Sequence, residues 1–378
     1  MISVSICSPT PDITAPWDDL VRRASSNVFM NPLALTVANE TGFARIQVLS
    51  AWDDSAEPRR LVGIWAFRVR RISRLWPALL EALPYNYAFL SNPVVDPAFV
   101  HDVIPAFLSA IRNSPLLPKV INLKSLDAEA LSFEMLVNAL AEQGGAQLRL
   151  SESTRPFATP DVGTKRSGST RKKLRQDWNR LSAAGIVDIV NNRAPDVREA
   201  FEAFLKLEAA GWKGARGTAL LCDAADAAFA RRMVVTLAEH GSASVALLRV
   251  DGRAIAAQVL MYCGATAYTW KTAFSPDYAK YSPGALLIDK ITDDLFSTGV
   301  AAIDSCSYEG SFMAQLWAGR RKMADLLVDV GPGRSLAFSL EALRQRGYGR
   351  LRRLRDRVRS WSVPVPPKSK KVSLAAHR

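Results

Sequence analysis

The run Thr266–Leu287 reads TAYTWKTAFSPDYAKYSPGALL and joins a strand pattern to a helix start. Aromatic and β-branched residues recur up to Phe274, which is typical of a strand. Ser282 then offers a helix cap, Pro283 suits the first helical position, and Gly284 lets other atoms approach the backbone. The positive end of that helix could hold a phosphate, although a capped helix without a ligand fits the same residues.

The elements predicted around this run have a defined order. Asp251–Gly252 separates two strand patterns and is a strong hairpin signal. The order is strand, two helices, three-strand meander, helix, strand, short helix and strand. The predicted bounds are, in that order, Ile186–Val190, Asp196–Trp212, Asp223–His240, Ala243–Val250, Arg253–Tyr262, Thr266–Phe274, Ser282–Ser297, Val300–Cys306, Ser311–Trp317 and Ala324–Val330.

The first 150 residues also alternate between strand and helix patterns, which predicts a mixed α/β fold with helices layered on a sheet. Strands are predicted at Ile2–Ile6, Ile46–Ala51, Leu61–Val69 and Val120–Leu123, and helices at Trp17–Ala24, Pro97–Arg112 and Ala128–Glu142. Residues 155–170 lose hydrophobic periodicity and gather Pro, Gly, Ser and Thr. We therefore expect domains at 1–155 and 165–333, followed by a basic amphipathic helix and tail at 334–378.

The charge of the chain is concentrated in two segments. The formal net charge of the 378 residues is +13, from 49 Lys plus Arg against 36 Asp plus Glu. Residues 165–180 carry +6 and residues 344–378 carry +11, so the remainder carries −4. The basic balance therefore does not indicate a general nucleic-acid-binding protein, and we do not expect a nucleic-acid partner.

Cysteine and histidine usage argues against disulfide and metal chemistry. The four cysteines are widely spaced, which favours a reducing compartment. The three histidines are far apart in sequence, and no metal site is predicted. We read no signal peptide and no apolar run long enough to span a bilayer, and we expect a cytoplasmic location. The cysteines are Cys7, Cys222, Cys263 and Cys306, and the histidines are His101, His240 and His377.

The strand Trp270–Phe274, the helix start after it and the strand through Asp304 together resemble the core of the GNAT acyltransferase superfamily. The run Leu207–Gly214 with Gly217–Ala219 looks like the CelD (BcsL) acetyltransferases of bacterial cellulose and exopolysaccharide loci. That group is similar in turn to the FemABX transferases. The resemblance implies two GNAT-like domains in tandem, each a mixed, mostly antiparallel sheet flanked by helices. Lys280–Ala285 has only one glycine, which departs from the usual GNAT loop.

The resemblance also implies an acyl-coenzyme A site, with the donor in a cleft beside the central strand and its pyrophosphate on the helix start. The residues that would bind it are Lys271, Ser282, Pro283, Gly284 and Ala285. No metal is implied.

The same resemblance suggests residues for catalysis and for the acceptor. Glu208 is the candidate base or orienting carboxylate, Tyr308 the candidate acid for the departing thiolate, and Asp304 a candidate for orienting substrate. Glu208 could equally be a helix-surface residue without a catalytic role, and Asp304 could equally be structural. Acceptor contacts are assigned to Trp212, Lys213 and Gln258, although Trp212 could line the core and Gln258 could lie on a solvated strand face.

We therefore expect an acetyl-coenzyme A-dependent N-acyltransferase that acts on an amino sugar or a polysaccharide precursor. One alternative is a FemABX-like aminoacyl transferase whose donor is aminoacyl-tRNA, with residues 165–180 in contact with RNA. A degenerate GNAT scaffold without activity is the other.

The end of the chain suggests a separate partner. Apolar residues recur at helical spacing with arginines between them, as in a helix that lies on an anionic membrane. A helix packed on the protein body fits this pattern too. We expect peripheral contact with the inner membrane as one possibility. The apolar residues are Leu340, Leu343, Leu351, Leu354, Val358 and Trp361.

Overall fold

The computed structural model describes residues 1–162 and 168–361. The predictions for residues 165–167 and 362–378 lie outside the described residues, as do those for the side chains of 350–361. None of the described helices is both long and apolar enough to cross a bilayer.

The first half of the chain alternates strands with helices, as its sequence predicts. Short 3-10 turns precede three of the helices, at Pro11–Ile13, Val28–Met30 and Pro97–Phe99. The elements are β1 (Ile2–Cys7), α1 (Thr14–Val21), α2 (Pro32–Glu40), β2 (Ile46–Asp53), β3 (Arg60–Arg70), β4 (Leu79–Glu81), β5 (Val94–Val95), α3 (Val100–Asn113), β6 (Val120–Asp127), α4 (Leu131–Glu142) and β7 (Ala146–Ala158).

The second half reproduces the predicted order of strands and helices. Further 3-10 turns lie at Leu220–Cys222 and Pro276–Tyr281. The elements are α5 (Gly168–Ser182), β8 (Val187–Asn192), α6 (Val197–Ala210), α7 (Trp212–Ala215), α8 (Ala224–Glu239), β9 (Ala243–Val250), β10 (Arg253–Cys263), β11 (Thr266–Phe274), α9 (Pro283–Ser297), β12 (Ala302–Asp304), α10 (Met313–Leu316), β13 (Arg320–Asp329) and α11 (Leu336–Trp361).

The strands form one continuous mixed sheet. Its order over the described residues is β1-β2-β3-β4-β6-β13-β7-β12-β11-β10-β9-β8, with β5 paired to β3. Only the pairs β4–β6 and β11–β12 are parallel in this part of the chain. The prediction of a mixed, mostly antiparallel sheet flanked by helices is confirmed.

The two halves share strands at the predicted boundary. The sequence suggests a loop from residue 155, but β7 continues to Ala158, and its polar middle is exposed, which hides the strand periodicity. The strand predicted at Ala324–Val330 was assigned to the second domain. It lies in β13, which pairs with β6 on one side and β7 on the other. The last strand of the second half therefore completes the sheet of the first.

The strands β9–β11 carry a helix layer on each face. Val245 and Leu247 of β9 join the core cluster that contains α6 and α8, whereas Ala246 and Leu248 join the cluster that contains α5 and α9. This alternation follows from the two-residue period of a strand. Helix α2 of the first half packs on α8, so the α6 face of the sheet is also the face that meets the first half.

Candidate active site

A cleft opens where β11 and β12 part. The two strands pair only from Thr266 with Ala302 to Tyr268 with Asp304, within the described residues. Beyond this short ladder β11 continues through Phe274 while the chain after β12 turns away toward α10. The edge of β11 from Thr269 onward is therefore open to the space between the two strands.

A β-bulge in β11 re-aims the side chains beside this cleft. Val259 of β10 pairs with Lys271 and Leu260 pairs with Thr269, which leaves Trp270 as the extra residue. Trp270 and Lys271 consequently both point to the α6 face, and the Trp270 indole N–H donates to the Tyr87 carbonyl at 2.9 Å. Bulges of this kind recur next to active sites, because they change which side of a sheet a side chain reaches.

A cavity of about 310 Å³ lies at the start of α9, and we call it the α9 cavity. It contains the four residues of the helix start that the sequence assigns to the donor. Most of its other lining is apolar, with the Lys173 amine from α5 at its polar side. The lining residues are Thr170, Lys173, Leu174, Phe274, Ala279, Ser282, Pro283, Gly284, Ala285, Phe312, Gln315 and Leu316.

Ser282 does not cap α9 with its side chain, so that detail of the prediction is wrong. Its backbone is left-handed, with φ 52° and ψ 47°, and its side chain makes no capping hydrogen bond to α9. The hydroxyl oxygen instead accepts from the Lys173 ammonium at 3.0 Å. The Ser282 carbonyl accepts the N–H groups of Ala285 and Leu286. A non-glycine residue in this conformation costs roughly 1–2 kcal/mol, and such strain is concentrated at functional sites.

Glu208 is a buried ion-pair centre at the end of α6, with 2% of its surface exposed. One carboxylate oxygen accepts from Lys213 at 2.9 Å and from Lys271 at 3.4 Å, and the other accepts the Leu220 N–H at 2.9 Å. Burial raises the pKa of Glu208, but Lys271 and Lys213 outweigh it, so the pKa lies below its usual range. An ionised carboxylate with both oxygens engaged is a poor general base, and this placement favours the orienting role.

The segment after α6 folds back on Glu208 through a tight glycine turn. A Cβ on Gly214 would lie 1.8 Å from the Ala209 carbonyl oxygen, so only glycine fits there. The turn returns Lys213 to Glu208, and the Lys213 carbonyl accepts the Thr218 N–H at 2.8 Å. Trp212 itself is 57% exposed. The sequence pattern Gly-Trp-Lys-Gly therefore has a structural origin, and it leaves an aromatic ring open to solvent.

Lys271 is enclosed by aromatic rings and by Glu208. Its ammonium lies 4.4 Å from the centre of the Tyr87 ring and 5.7 Å from that of Trp270. Burial lowers the pKa of Lys271, and Glu208 offsets this only in part. A lysine in these surroundings is a better proton donor than one in water, because its charged form has lost hydration.

Tyr87 is the residue of this site that sequence reasoning missed. It belongs to the first half, has a positive φ of 73°, and its hydroxyl donates to Asp226 of α8. Burial, followed by the bond to Asp226, raises the pKa of Tyr87, so the phenol stays protonated. The only local signal is the aromatic run Tyr85–Phe89 (YNYAF). We call Tyr87, Glu208, Lys213 and Lys271 the Glu208 cluster.

Gln258 is not placed to contact an acceptor. It is fully buried in β10, where its amide nitrogen donates to the Val259 carbonyl at 2.7 Å and its oxygen accepts the Thr272 hydroxyl. Both ends of the side chain are thus used inside the sheet. The structure gives Gln258 the part of a cross-strand link between β10 and β11.

Asp304 is not placed to orient substrate either. It is fully buried and pairs with Arg155 at 3.3 Å and Arg321 at 2.7 Å, while the Cys306 N–H donates to it at 2.8 Å. Burial raises the pKa of Asp304, but the two arginines outweigh it and lower the pKa overall. Arg321 also pairs with Asp127 at 3.2 Å. These pairs tie together β6, β7, β12 and β13, which is a structural task.

Tyr308 lies in the segment between β12 and α10 and is 76% exposed. It does not line the α9 cavity, whereas Phe312 of the same segment and Gln315 of α10 do. Glu208, Lys213 and Lys271 are thus brought together, and Ser282–Ala285 form a second group around the α9 cavity. Among the residues that the structure describes, no group of acidic, cysteine or histidine side chains could hold a metal.

Comparison with known proteins supports the fold. The family model described as an acetyltransferase (GNAT) domain matches residues 168–309. A search of the curated proteins found no match.

Solved structures match over most of the chain. FemX superposes with a TM-score of 0.61 at 12% identity, covering 86% of this chain and 96% of that one. L-PGS from Bacillus licheniformis superposes with a TM-score of 0.56 at 14% identity, covering 90% of this chain and 97% of that one. A conserved protein of unknown function from Bacteroides thetaiotaomicron superposes with a TM-score of 0.55 at 11% identity, covering 86% of this chain and 100% of that one. The expected GNAT fold of the tandem type is confirmed.

Proposed function

From this tandem-type GNAT acyltransferase fold, we propose that the chain transfers an acyl group from acyl-coenzyme A to an amine. The observation that carries the proposal is the α9 cavity, which lies at the cleft between β11 and β12 and at the start of α9. Its apolar walls suit the pantetheine and acyl chain. Lys173 and the positive end of the helix suit the phosphates.

The chemistry needs three things from the protein. The amine must lose a proton as it attacks the thioester carbonyl, the oxyanion of the tetrahedral intermediate needs stabilisation, and the thiolate that leaves must gain a proton. We assign the second and third tasks to Lys271. Its ammonium is a fixed positive charge in a site with little water, and its lowered pKa makes proton release to the thiolate easier.

Glu208 is a positioning residue in this proposal. It holds Lys271 through one oxygen and the 211–220 segment through Lys213 and the Leu220 N–H. The attacking amine then loses its proton to water or to another group of the acceptor substrate. We give Tyr308 no step, because it is 76% exposed and does not line the α9 cavity.

The acceptor class that we propose is an amino sugar or a polysaccharide precursor. The exposed ring of Trp212 offers a flat apolar surface on which a sugar can stack. Lys213 adds a donor at the same place. The resemblance of residues 207–219 to the CelD (BcsL) acetyltransferases supports the same class.

An aminoacyl-tRNA donor is the second candidate. Arg171, Lys172 and Arg175 are exposed on α5, whose residues Thr170, Lys173 and Leu174 line the α9 cavity. Such a basic surface suits an RNA backbone, and binding would then fall steeply as salt is raised. FemX, whose fold this chain shares, has a name that matches the FemABX transferases that the sequence resembles.

Thermal unfolding in the presence of acetyl-coenzyme A tests the donor. At a ligand concentration about 100 times Kd, binding adds about 2.7 kcal/mol to stability, which raises Tm by several degrees. Lys173→Ala should weaken donor binding about tenfold, because a charge-assisted phosphate contact is lost. Lys322→Ala, at an exposed lysine of β13, is the matched control.

Three outcomes separate the candidates. A shift with acetyl-coenzyme A that Lys173→Ala reduces and Lys322→Ala preserves supports the proposal. Salt-sensitive binding of aminoacyl-tRNA with no shift by acetyl-coenzyme A supports the second candidate. If neither acetyl-coenzyme A nor aminoacyl-tRNA binds, the result supports a GNAT scaffold without acyl-transfer activity.

We also propose that the chain works in the cytoplasm, where acyl-coenzyme A and a reducing environment are present. All four cysteines are free in the structure. Cys7 and Cys222 are exposed, which fits a compartment that keeps thiols reduced.

A further inference from the structure

The connection between β3 and β4 exposes apolar residues between arginines. Residues 69–76 read VRRISRLW. Leu75 is 98% exposed, Ile72 43% and Val69 39%. Single exposed apolar residues are common on proteins, but three of them in one short basic segment mark an interaction surface. We call this segment 69–76.

Helix α11 lies against this segment. The Trp76 indole N–H donates to Glu341 of α11 at 3.3 Å. Leu79 of β4 packs in one cluster with Phe338 and Ala342 of the same helix. Segment 69–76 and the first turns of α11 are therefore neighbours on one side of the first half.

Helix α11 also exposes leucine side chains to solvent. Phe338 and Ala342 face the protein, but Leu336 is 75% exposed and Leu343 is 70% exposed. With Leu340 they follow a spacing of four and three, which is one stripe along a helix. The sequence continues the stripe at Leu351, Leu354, Val358 and Trp361, within the bounds of α11 but with side chains outside the described ones.

Arginines are frequent in the sequences of α11 and of segment 69–76. Between residues 344 and 361 the sequence has eight arginines and one acid, Asp356. An open groove of about 360 Å³ next to segment 69–76 adds four more arginines, and we call it the arginine groove. Its lining residues are Phe43, Ala44, Arg45, Arg68, Val69, Arg70 and Arg71.

Only part of the charge in the arginine groove is neutralised by a neighbouring acid. Glu81 pairs with both Arg68 and Arg70 at 2.7 Å. Arg45 and Arg71 are exposed at the rim. Guanidinium groups bind phosphate through paired hydrogen bonds, so such a groove suits phosphate esters.

We propose that segment 69–76, the arginine groove and α11 form one docking surface for an anionic lipid bilayer. The lipid phosphates lie in the arginine groove, and Ile72, Leu75, Leu336 and Leu343 enter the boundary between headgroups and acyl chains. This surface is separate from the Glu208 cluster and the α9 cavity. It would hold the protein at a membrane whatever group it transfers.

Charge and apolarity together select the bilayer as the occupant. A second copy of this chain on this surface would bring two sets of exposed arginines together, including Arg45 and Arg71, and their repulsion opposes pairing. Nucleic acid would use the arginines but gains little from Leu75, Ile72 and Leu343. An anionic bilayer satisfies both kinds of group at once.

Co-sedimentation of the full-length chain with vesicles tests the proposal. We expect it to pellet with vesicles of equal parts phosphatidylcholine and phosphatidylglycerol and to stay in solution with phosphatidylcholine alone. The double substitution Ile72→Ser and Leu75→Ser should reduce the apparent affinity by tenfold or more. Ile186→Ser is the matched control, because Ile186 is 78% exposed and lies beside β8 at the far end of the sheet.

A second pair of variants tests the phosphate contact. Arg45→Gln with Arg71→Gln should weaken binding to the anionic vesicles, and added inorganic phosphate should compete only weakly if bilayer insertion is also needed. Competition by phosphate as strong as that by vesicles would mean a free-phosphate site and overturn the proposal.

Other results would also overturn it. Equal pelleting of the double variant and Ile186→Ser would remove segment 69–76 from the contact. Self-association or RNA binding that the double variant abolishes, without vesicle binding by the parent, would assign the surface to a different partner. Turnover on a water-soluble acceptor should be the same in all these variants, so the outcome is independent of the proposed acyl transfer.

Discussion

Glu208 and Asp304 are two buried carboxylates, and each is held ionised by two cations. They differ in the type of cation. Asp304 pairs with Arg155 and Arg321, whose planar groups come from neighbouring strands of the same sheet. Glu208 pairs with Lys213 and Lys271 beside a cleft. Arginine gives fixed, paired contacts, whereas lysine is a mobile point charge whose pKa shifts on burial. In our proposal, the choice of cation separates the structural centre at Asp304 from the chemical one at Glu208.

The largest effect is expected for Asp304→Asn. This change leaves Arg155 and Arg321 without their buried partner, which should cost about 3–5 kcal/mol of unfolding free energy. The measurement is urea denaturation, with Asp54→Asn at an exposed position as the control. If Asp304→Asn unfolds at the urea concentration of the control, the structural assignment fails.

The same variant makes a prediction about pH. The pKa of Asp304 is lowered in the folded protein, so its contribution is complete above the unfolded pKa of about 3.9 and is lost as pH falls through the folded pKa. The difference in stability between the parent and Asp304→Asn should therefore be greatest near neutral pH and shrink in acid. If the difference in stability between the parent and Asp304→Asn stays constant as the solution is acidified, this prediction is contradicted.

Lys271→Met is expected to have the second largest effect, and its main effect should be a loss of turnover. Removal of a positive charge from the transition state costs about 10²–10³-fold in kcat. The fold should persist, since methionine is unbranched and keeps most of the lysine side chain's length beside Tyr87. Lys322→Met on β13 serves as the comparison, and equal kcat values for the two variants would remove Lys271 from the chemistry.

Glu208→Gln should have the smallest of these effects on stability, about 1–3 kcal/mol, because the amide keeps the shape and some hydrogen bonds. Its diagnostic effect is on pH dependence. Glu208 is the group that raises the pKa of Lys271, so the pKa should fall further without it. The alkaline limb of kcat/KM should then move to lower pH; an unmoved limb would show that Glu208 does not act through Lys271.

Much of the fold could be predicted from local signals in the sequence. The β9–β11 meander follows from period-two patterns joined by Asp251–Gly252, and α8 begins where Asp223 accepts the N–H groups of Ala225 and Asp226. β7 was missed because its exposed polar middle has no alternation. Local pattern decides element type, but it carries no information on which strand will be a neighbour.

The site was predicted in part for the same reason. The sequence singles out Ser282–Ala285 because a helix start is a local motif, whereas the left-handed backbone of Ser282 depends on its surroundings. The role of Glu208 depends on Lys271, far along the chain, and Tyr87 reaches the site from the first half. Such contacts exist only in the folded protein.

The position of β13 between β6 and β7 has a consequence for synthesis. As the chain leaves the ribosome, β6 and β7 are present long before β13, and the gap between them cannot be filled until residue 329 has been made. The first half must wait for the whole second half to emerge before its sheet is complete. Long-range pairing of this kind slows folding and exposes strand edges. A nascent chain of this protein is therefore expected to need protection by chaperones until its last strand arrives.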